Sequence, residues 1–308
     1  MPGMKEIKNH IESVRETQKI TNAMYLIAST KLRKAKTEFD RTKPFFEALK
    51  SEIKRIFRID AKIQSRYFYP TAEEPQLSGT FGYLVITADK GLAGAYNQNV
   101  LREAEGLMAD HPNAKLFVVG EYGRQYFLSH GIPIEQSFLY TAQNPTLERA
   151  REICMALLRL YNDAMIEKLY VVYTDFGTGM NPKPQITRLL PFHRAQFSTR
   201  DDSRQPTDIF DFQPSIEEVL EGMIPTYVSG FIYSALVDSF CCEQGARMVA
   251  MESANRNAEE LLESLRRDYN DVRQKTITQE ITEIASGAKY QKLKKEEEGK
   301  RNRGTAER

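Results

Sequence analysis

Residues 226–287 read TYVSGFIYSALVDSFCCEQGARMVAMESANRNAEELLESLRRDYNDVRQKTITQEITEIASG. The stretch holds no proline and no turn cluster, so it predicts one helix that stops at Gly287. At about 1.5 Å per residue such a helix is roughly 90 Å long. A domain core is not that wide, so most of the helix needs partners outside its own domain. Its first half sets Val228, Ile232, Ala235, Cys242 and Val249 on a stripe interleaved with small residues such as Gly230, Ser239 and Gly245. Small residues let two helix backbones approach. Beyond Ala258 the stripe narrows to Leu261, Leu262, Leu265, Tyr269 and Val272, and the last turns add Ile277, Ile281 and Ile284.

The other end of the chain supplies a partner. Ile7, Val14, Thr21, Ala28, Ala35, Thr42, Leu49 and Ile56 recur every seven residues, with Met4, Ile11, Gln18, Tyr25, Leu32, Phe39, Phe46 and Ile53 as the second set. Spacings of three and four held this long predict a coiled coil over residues 4–57. Its seam is weak where Gln18, Thr21 and Thr42 are polar and where Ala28 and Ala35 are thin. Pro44 removes a backbone hydrogen bond, at about 3 kcal/mol in a helix interior, and predicts a bend or loosened turn near Lys43. Residues 1–66 carry about sixteen Lys and Arg against about eight Asp and Glu; residues 238–285 carry about six against ten. Two helices of opposite sign lying side by side account for that split.

Between the helices the texture changes. Pro70, Pro75 and Gly79 mark a linker. Residues 81–87, 115–119 and 169–173 read as short buried strands, and 185–190 as a further, edge strand. Helices are predicted over 95–109, 120–127 and 146–166, which implies a parallel or mixed sheet with helices on its faces. Ser215 followed by Glu218 resembles a helix start, and Pro225 interrupts before the long helix. The fold class is therefore α/β plus long helices. Terminal helices at 1–66 and 215–288 pair as an antiparallel coiled coil around a central Rossmann-like domain at 67–214. Residues 289–308 are almost wholly charged and predict a disordered or frayed tail.

Composition excludes several functions. A formal net charge of +1 rules out a general electrostatic nucleic-acid binder. Three cysteines, two of them adjacent, give no disulfide framework and point to a reducing compartment. No apolar run reaches the roughly 18 residues of a membrane span, and the N-terminus lacks the core of a signal peptide. Those features suit a soluble, bacterial, cytoplasmic protein. His10, His111, His130 and His193 are scattered without metal-ligand spacing. Asp89-Lys-Gly-Leu-Ala-Gly94 after a strand is the nearest approach to a nucleotide loop. No complete phosphate-loop pattern exists, and a strand-to-helix turn uses glycines anyway. No catalytic constellation, cofactor site or metal site is legible.

Longer motifs carry a resemblance. Thr17-Gln-Lys-Ile-Thr-Asn-Ala-Met24 and Ser29-Thr-Lys-Leu-Arg-Lys-Ala35 resemble the N-terminal helix of the gamma subunit of F-type ATP synthases. Glu243-Gln-Gly-Ala-Arg-Met-Val-Ala-Met251, with Ala254 and Asn257, is similar to that family's C-terminal signature, and Ile277–Ile284 with Gly287 to its very end. Asp89-Lys-Gly-Leu and Leu189-Leu-Pro191 match between them. The resemblance implies a non-catalytic central rotor shaft that turns inside a ring of alpha and beta subunits. It implies a foot shared with the epsilon subunit on the membrane c ring. It places the protein peripherally on the cytoplasmic side of a bacterial plasma membrane, without lipid insertion. By position it assigns Met24 and Arg247 to the meeting with beta, Gln274, Thr278 and Glu280 to an upper ring contact, and Gln213 with Pro214 to the foot. Three departures stand out: Gln213 where many members are acidic, Ala93 where many carry cysteine, and the tail beyond Gly287. The tail reads as a solvated appendage, with a contact that brakes rotation as the sharper alternative. Two other readings compete for the whole chain. One is a stand-alone nucleotide-binding α/β protein and the other a static coiled-coil scaffold.

Overall fold

The computed structural model describes residues 3–59, 63–69, 79–139, 141–176, 183–194, 197 and 212–304. In chain order they form α1 (Met4–Ile59), β1 (Phe68–Tyr69), β2 (Phe81–Ile86), α2 (Tyr96–Asp110), β3 (Lys115–Val119), α3 (Glu121–Ser129) and β4 (Gln136–Phe138). There follow α4 (Leu147–Asn162), β5 (Lys168–Thr174), β6 (Pro184–Leu190), β7 (Phe192–His193) and α5 (Ile216–Gly304). The chain divides into two compact units, Met24–Met251 and the pair Met1–Ala23 with Glu252–Arg308. The expected linker around Pro70 and Pro75, the loop at 177–182 and the polar stretch 198–211 lie outside the described residues.

In the unit Met24–Met251, five strands lie in the order β4-β3-β2-β5-β6. The first four are mutually parallel and β6 runs antiparallel to β5. Alternation along the central strands sends side chains to two cores. Tyr83, Val85, Val118 and Val172 pack under α2 and α3. Leu84, Ile86, Phe117, Val119 and Val171 share a core with α4, with Leu220–Cys241 of α5 and with Ile53 and Ile56 of α1. A second, two-stranded parallel sheet joins β1 to β7, with Phe68 opposite Phe192. Strands β1, β4 and β7 span two or three residues each, too short for any periodicity to announce them.

Helix α5 is nearly enclosed from Val228 to Gln244, while from Glu252 onward most of its residues are exposed, as the expectation from its length requires. It starts at Ile216, where Glu218 N donates to Ser215 Oγ at 3.2 Å, as the cap motif predicts. Pro225 does not interrupt it. The cost of an interior proline is about 3 kcal/mol, while each fully buried aliphatic side chain contributes about 1.5–3 kcal/mol. Leu220, Ile224 and Val228 flank Pro225 and are all fully buried, so packing wins. Ser229 Oγ also donates to Pro225 O at 2.8 Å, and Cys154 Sγ to the same carbonyl at 3.4 Å. Pro44 likewise stays inside a helical α1. Close approach of α1 and α5 is literal at Gly230: a Cβ there would lie 2.1 Å from Phe46 Cδ1. Val249, expected on the buried stripe, is 68% exposed.

In the other unit the two helices run antiparallel. Ile7, Ile11, Leu262 and Leu265 form its buried core, with Val14, Tyr269 and Val272 packed against it. The polar seam residues find polar partners: Gln18 Nε2 donates to Glu259 Oε1 at 3.3 Å, and Thr21 Oγ1 donates to Asn255 Oδ1. Leu261, expected on the stripe, is exposed. Helix α5 does not stop at Gly287 and continues to Gly304. One glycine costs about 1 kcal/mol relative to alanine, and the Ala-, Lys-, Glu- and Gln-rich sequence around it favours helix.

Candidate functional site

A doubly wound α/β sheet offers one default ligand crevice, beyond the carboxyl ends of its parallel strands where the strand order reverses. Here that point lies between β2 and β5. Strand β2 runs into Thr87 and Ala88 and then the 89–94 turn; β5 ends at Thr174. The crevice is filled by the chain itself. Thr174 N donates to Ser239 Oγ at 3.2 Å, and Cys242 Sγ donates to Thr174 O at 3.7 Å. Ala88, Ala93, Tyr96 and Cys242 form a small sealed core with Ala246 against it. Burial, with the Glu243 carboxylate nearby, pushes the Tyr96 phenol far above its usual value. A nucleotide has no room there. Ala93 is buried in this core, so the position demands a small side chain.

The turn itself is built for attachment rather than for phosphates. Asp89 Oδ1 accepts from Glu121 N at 2.9 Å, which caps the start of α3. Ala88 N donates to Asn97 Oδ1 at 2.9 Å, and Thr87 Oγ1 accepts from Gly123 N at 3.0 Å. Left-handed backbone falls on Leu92 (φ 61) and Gly94 (φ 55), not on Gly91. Gly120, at φ 98, is required outright: a Cβ there would sit 2.3 Å from Thr87 O. Leu92 stands 65% exposed at the tip.

Arg247 ties this turn to α5. Its Nη1 meets Glu243 Oε1 at 2.5 Å, while Nη2 donates to Gly91 O at 3.0 Å and reaches Lys90 O at 3.4 Å. Both partners are buried, Arg247 at 9% and Glu243 at 6% exposure. Burial raises the Glu243 carboxyl against the opposing pull of Arg247, so desolvation is the larger effect. Gln244 Nε2 gives Glu243 Oε1 a further bond at 3.1 Å. Beside this pair opens a recess of about 270 Å³, lined by Met24, Ala28, Lys31, Asp89, Lys90, Gln143 and Phe240 among others.

Of the residues assigned by resemblance, Met24 and Arg247 meet at this recess. Gln213 and Pro214 belong to the same unit, are exposed just before the Ser215 cap, and do not line it. Gln274, Thr278 and Glu280 lie in the other unit on exposed α5, where Thr278 Oγ1 donates to Gln274 O at 2.8 Å. Glu243 was missed as a partner of Arg247, although the four-residue spacing on a helix could have suggested the pair. Lys31 and Lys90 were missed because they come from separate elements. The three cysteines are buried, with burial pushing Cys154 and Cys241 up to about 12, so they are packing residues and not nucleophiles. Among the described residues there is no cluster able to hold a metal ion, and no helix is long and apolar enough to cross a membrane.

Known proteins resemble this chain over most of its length. The ATP synthase family model matches residues 3–289. The ATP synthase gamma chain of Ruminiclostridium cellulolyticum is 39% identical over 93% of this chain and 98% of its own. That of Acetobacterium woodii, described as sodium ion specific, is 35% identical over 93% and 98%. Among solved structures, the rotor of the Euglena gracilis mitochondrial ATP synthase has the same fold, with a TM-score of 0.62, 16% identity, and coverage of 89% of this chain and 98% of its own. The central stalk of the Tetrahymena thermophila enzyme aligns with a TM-score of 0.56 and 22% identity over 76% of this chain and 99% of its own.

Proposed function

The chain belongs to the ATP synthase gamma-chain family, and from that premise we propose that it is the central rotor shaft of a rotary ATP synthase, coupling ion flow to ATP synthesis without catalysing it. The observation that carries this reading is the filled crevice. Ser239, Cys242 and Tyr96 occupy the place where an α/β enzyme would bind its nucleotide. The α/β domain is thereby bonded to α5 instead of opened to a ligand. A body that transmits torque needs that attachment, and a nucleotide-binding enzyme needs the opposite.

The ring of alpha and beta subunits surrounds the helices, and the epsilon subunit and c ring engage the foot at 67–214, including Gln213 and Pro214. Residues 1–66 and 215–288 form the shaft, with 289–308 as an appended tail. The recess at Met24, Lys31, Lys90 and Arg247 meets beta. Gln274, Thr278 and Glu280, on exposed α5, meet the ring again. The protein sits peripherally on the cytoplasmic face of a bacterial plasma membrane. Each rotational position favours one beta conformation by the difference in contact free energy between its states.

Crosslinking decides between shaft and scaffold. A cysteine at Leu92, joined by a short reagent to the neighbouring ring subunit in the assembled complex, is expected to stop ATP turnover. Cleaving the link restores it. Undiminished turnover with the link intact makes the chain a static scaffold. Calorimetric binding of ATP to the full chain alone would instead support the enzyme alternative.

A further inference from the structure

Arg247 lies in a segment that the resemblance assigns to contact with beta, yet the structure leaves its guanidinium little to offer a partner. One terminal nitrogen is bonded to Glu243 and the other to the carbonyls of Gly91 and Lys90. The residue is 91% buried, being 9% exposed. What does face outward is the object that Arg247 holds. Lys90 is exposed, and Leu92 is a large apolar side chain displayed on left-handed backbone. A non-glycine residue in that region is strained and persists only where its surroundings over-determine it. Here the surroundings are identifiable: Asp89 bonded to Glu121 N behind the turn, and Arg247 bonded to its carbonyls in front.

We propose that Glu243 and Arg247 are positioning residues that clasp the 89–94 turn to α5, so that Lys90 and Leu92 form a fixed tooth on the rotor for the surrounding subunit. The inference rests on the rotor reading for what the tooth engages, but not for the clasp itself. Glu243 orients the guanidinium, and the planar fork then reaches two carbonyls on a separate segment. A lysine keeps the charge but has one nitrogen, which cannot span the carboxylate and both carbonyls. A contact role and a clasp role therefore diverge at Arg247→Lys.

The test has two arms. Hydrogen exchange of the 88–95 peptide is measured in the full-length chain for Glu243→Gln, Arg247→Lys and the double variant Glu243→Leu/Arg247→Met. The double variant replaces a buried ion pair with apolar groups and keeps the fold. Each is expected to raise exchange in the turn at least tenfold while β2 and β5 keep their protection; Lys90→Ala is expected to leave it unchanged. In the assembled complex, the ratio of ATP-driven ion pumping to hydrolysis is expected to fall at least twofold for Arg247→Lys. Wild-type exchange in the turn for all three clasp variants overturns the proposal. A loosened turn with an undiminished pumping ratio upholds the clasp and removes the tooth's role in rotation.

Discussion

Gly230 offers a stringent check on how α1 and α5 fit together in the unit Met24–Met251. Gly230→Ala brings two opposed effects. Alanine in a helix interior is favoured over glycine by about 0.5–1 kcal/mol. Its Cβ, however, would lie 2.1 Å from Phe46 Cδ1 and 2.3 Å from Cε1. Carbon atoms rest about 3.5–4.0 Å apart, so the ring must retreat by roughly 1.5 Å. Phe46 has neighbours of its own, with Phe45 and Tyr233 at centroid distances of 5.3 and 6.5 Å. Overpacking of this kind costs about 1–3 kcal/mol, which exceeds the propensity gain. The net expectation is a loss of about 1–2 kcal/mol, or roughly 2–8 °C in Tm for a unit of this size. Gly222→Ala is the internal control. It lies in the same helix with nothing within 4 Å of its Cβ, so it is expected to stabilise. Helical circular dichroism at 222 nm during thermal and urea denaturation reads both. Adding Phe46→Leu to Gly230→Ala is expected to recover most of the loss, as a double-mutant cycle. Should Gly230→Ala stabilise as much as Gly222→Ala, the close packing argued here is wrong.

Two further outcomes are expected. Asp238 is raised from its ordinary 3.8 to about 7 by burial and by Asp175, with Ser234 and Lys43 pulling the other way. The folded chain therefore holds a proton that the unfolded chain releases above pH 4, so stability falls as pH rises from about 4 to about 7 and is level beyond. The shift sets an upper limit of about 4 kcal/mol on that fall, less for the water that the partly buried side chain keeps. Asp238→Asn is expected to flatten the profile in urea titrations at pH 4.5, 6 and 7.5; an unchanged slope contradicts it. In the other unit, replacing the polar pair by Thr21→Val with Asn255→Leu is expected to stabilise by on the order of 1 kcal/mol, as removal of seam polar groups does. A loss of stability on denaturation would mean that the pair contributes more than it costs.

Most of the helical frame was legible. Every residue of the two heptad sets from Met4 to Ile56 is buried or half-buried, because a repeat sustained over eight heptads integrates many weak signals. The Ser215 cap is a local bond and was equally readable. Pro225 and Gly287 misled because punctuation signals are local, whereas burial of Leu220, Ile224 and Val228 is tertiary. Val249 failed for a geometric reason. It lies seven residues after Cys242, which faces Thr174 and Ala88 of the sheet rather than α1. One heptad further the same helix face has run past the sheet. The clasp was beyond reach of any sequence window, since Arg247 and Gly91 are 156 residues apart.

The polar places on the seam, which read as weaknesses, act as register marks. In an antiparallel pair a slip of one heptad keeps apolar residues opposite apolar residues almost everywhere, so burial alone discriminates poorly. Thr21 and Gln18 discriminate well. In the observed register they meet Asn255 and Glu259. A seven-residue slip of α5 would set Thr21 against the position of Leu262, which is buried in an apolar core. Thr21 Oγ1 keeps its bonds to Thr17 O and Gln18 O within α1, so the loss falls on Asn255, whose amide oxygen gives up its partner on the seam at about 1–3 kcal/mol. The thin stretch at Ala28 adds little hydrophobic area to oppose such a slip, so the polar pairs do that work. Register matters more in a rotor shaft than in an ordinary coiled coil. It decides which exposed side chain of α1 lies level with which of α5, and hence the face that each ring subunit meets as the shaft turns.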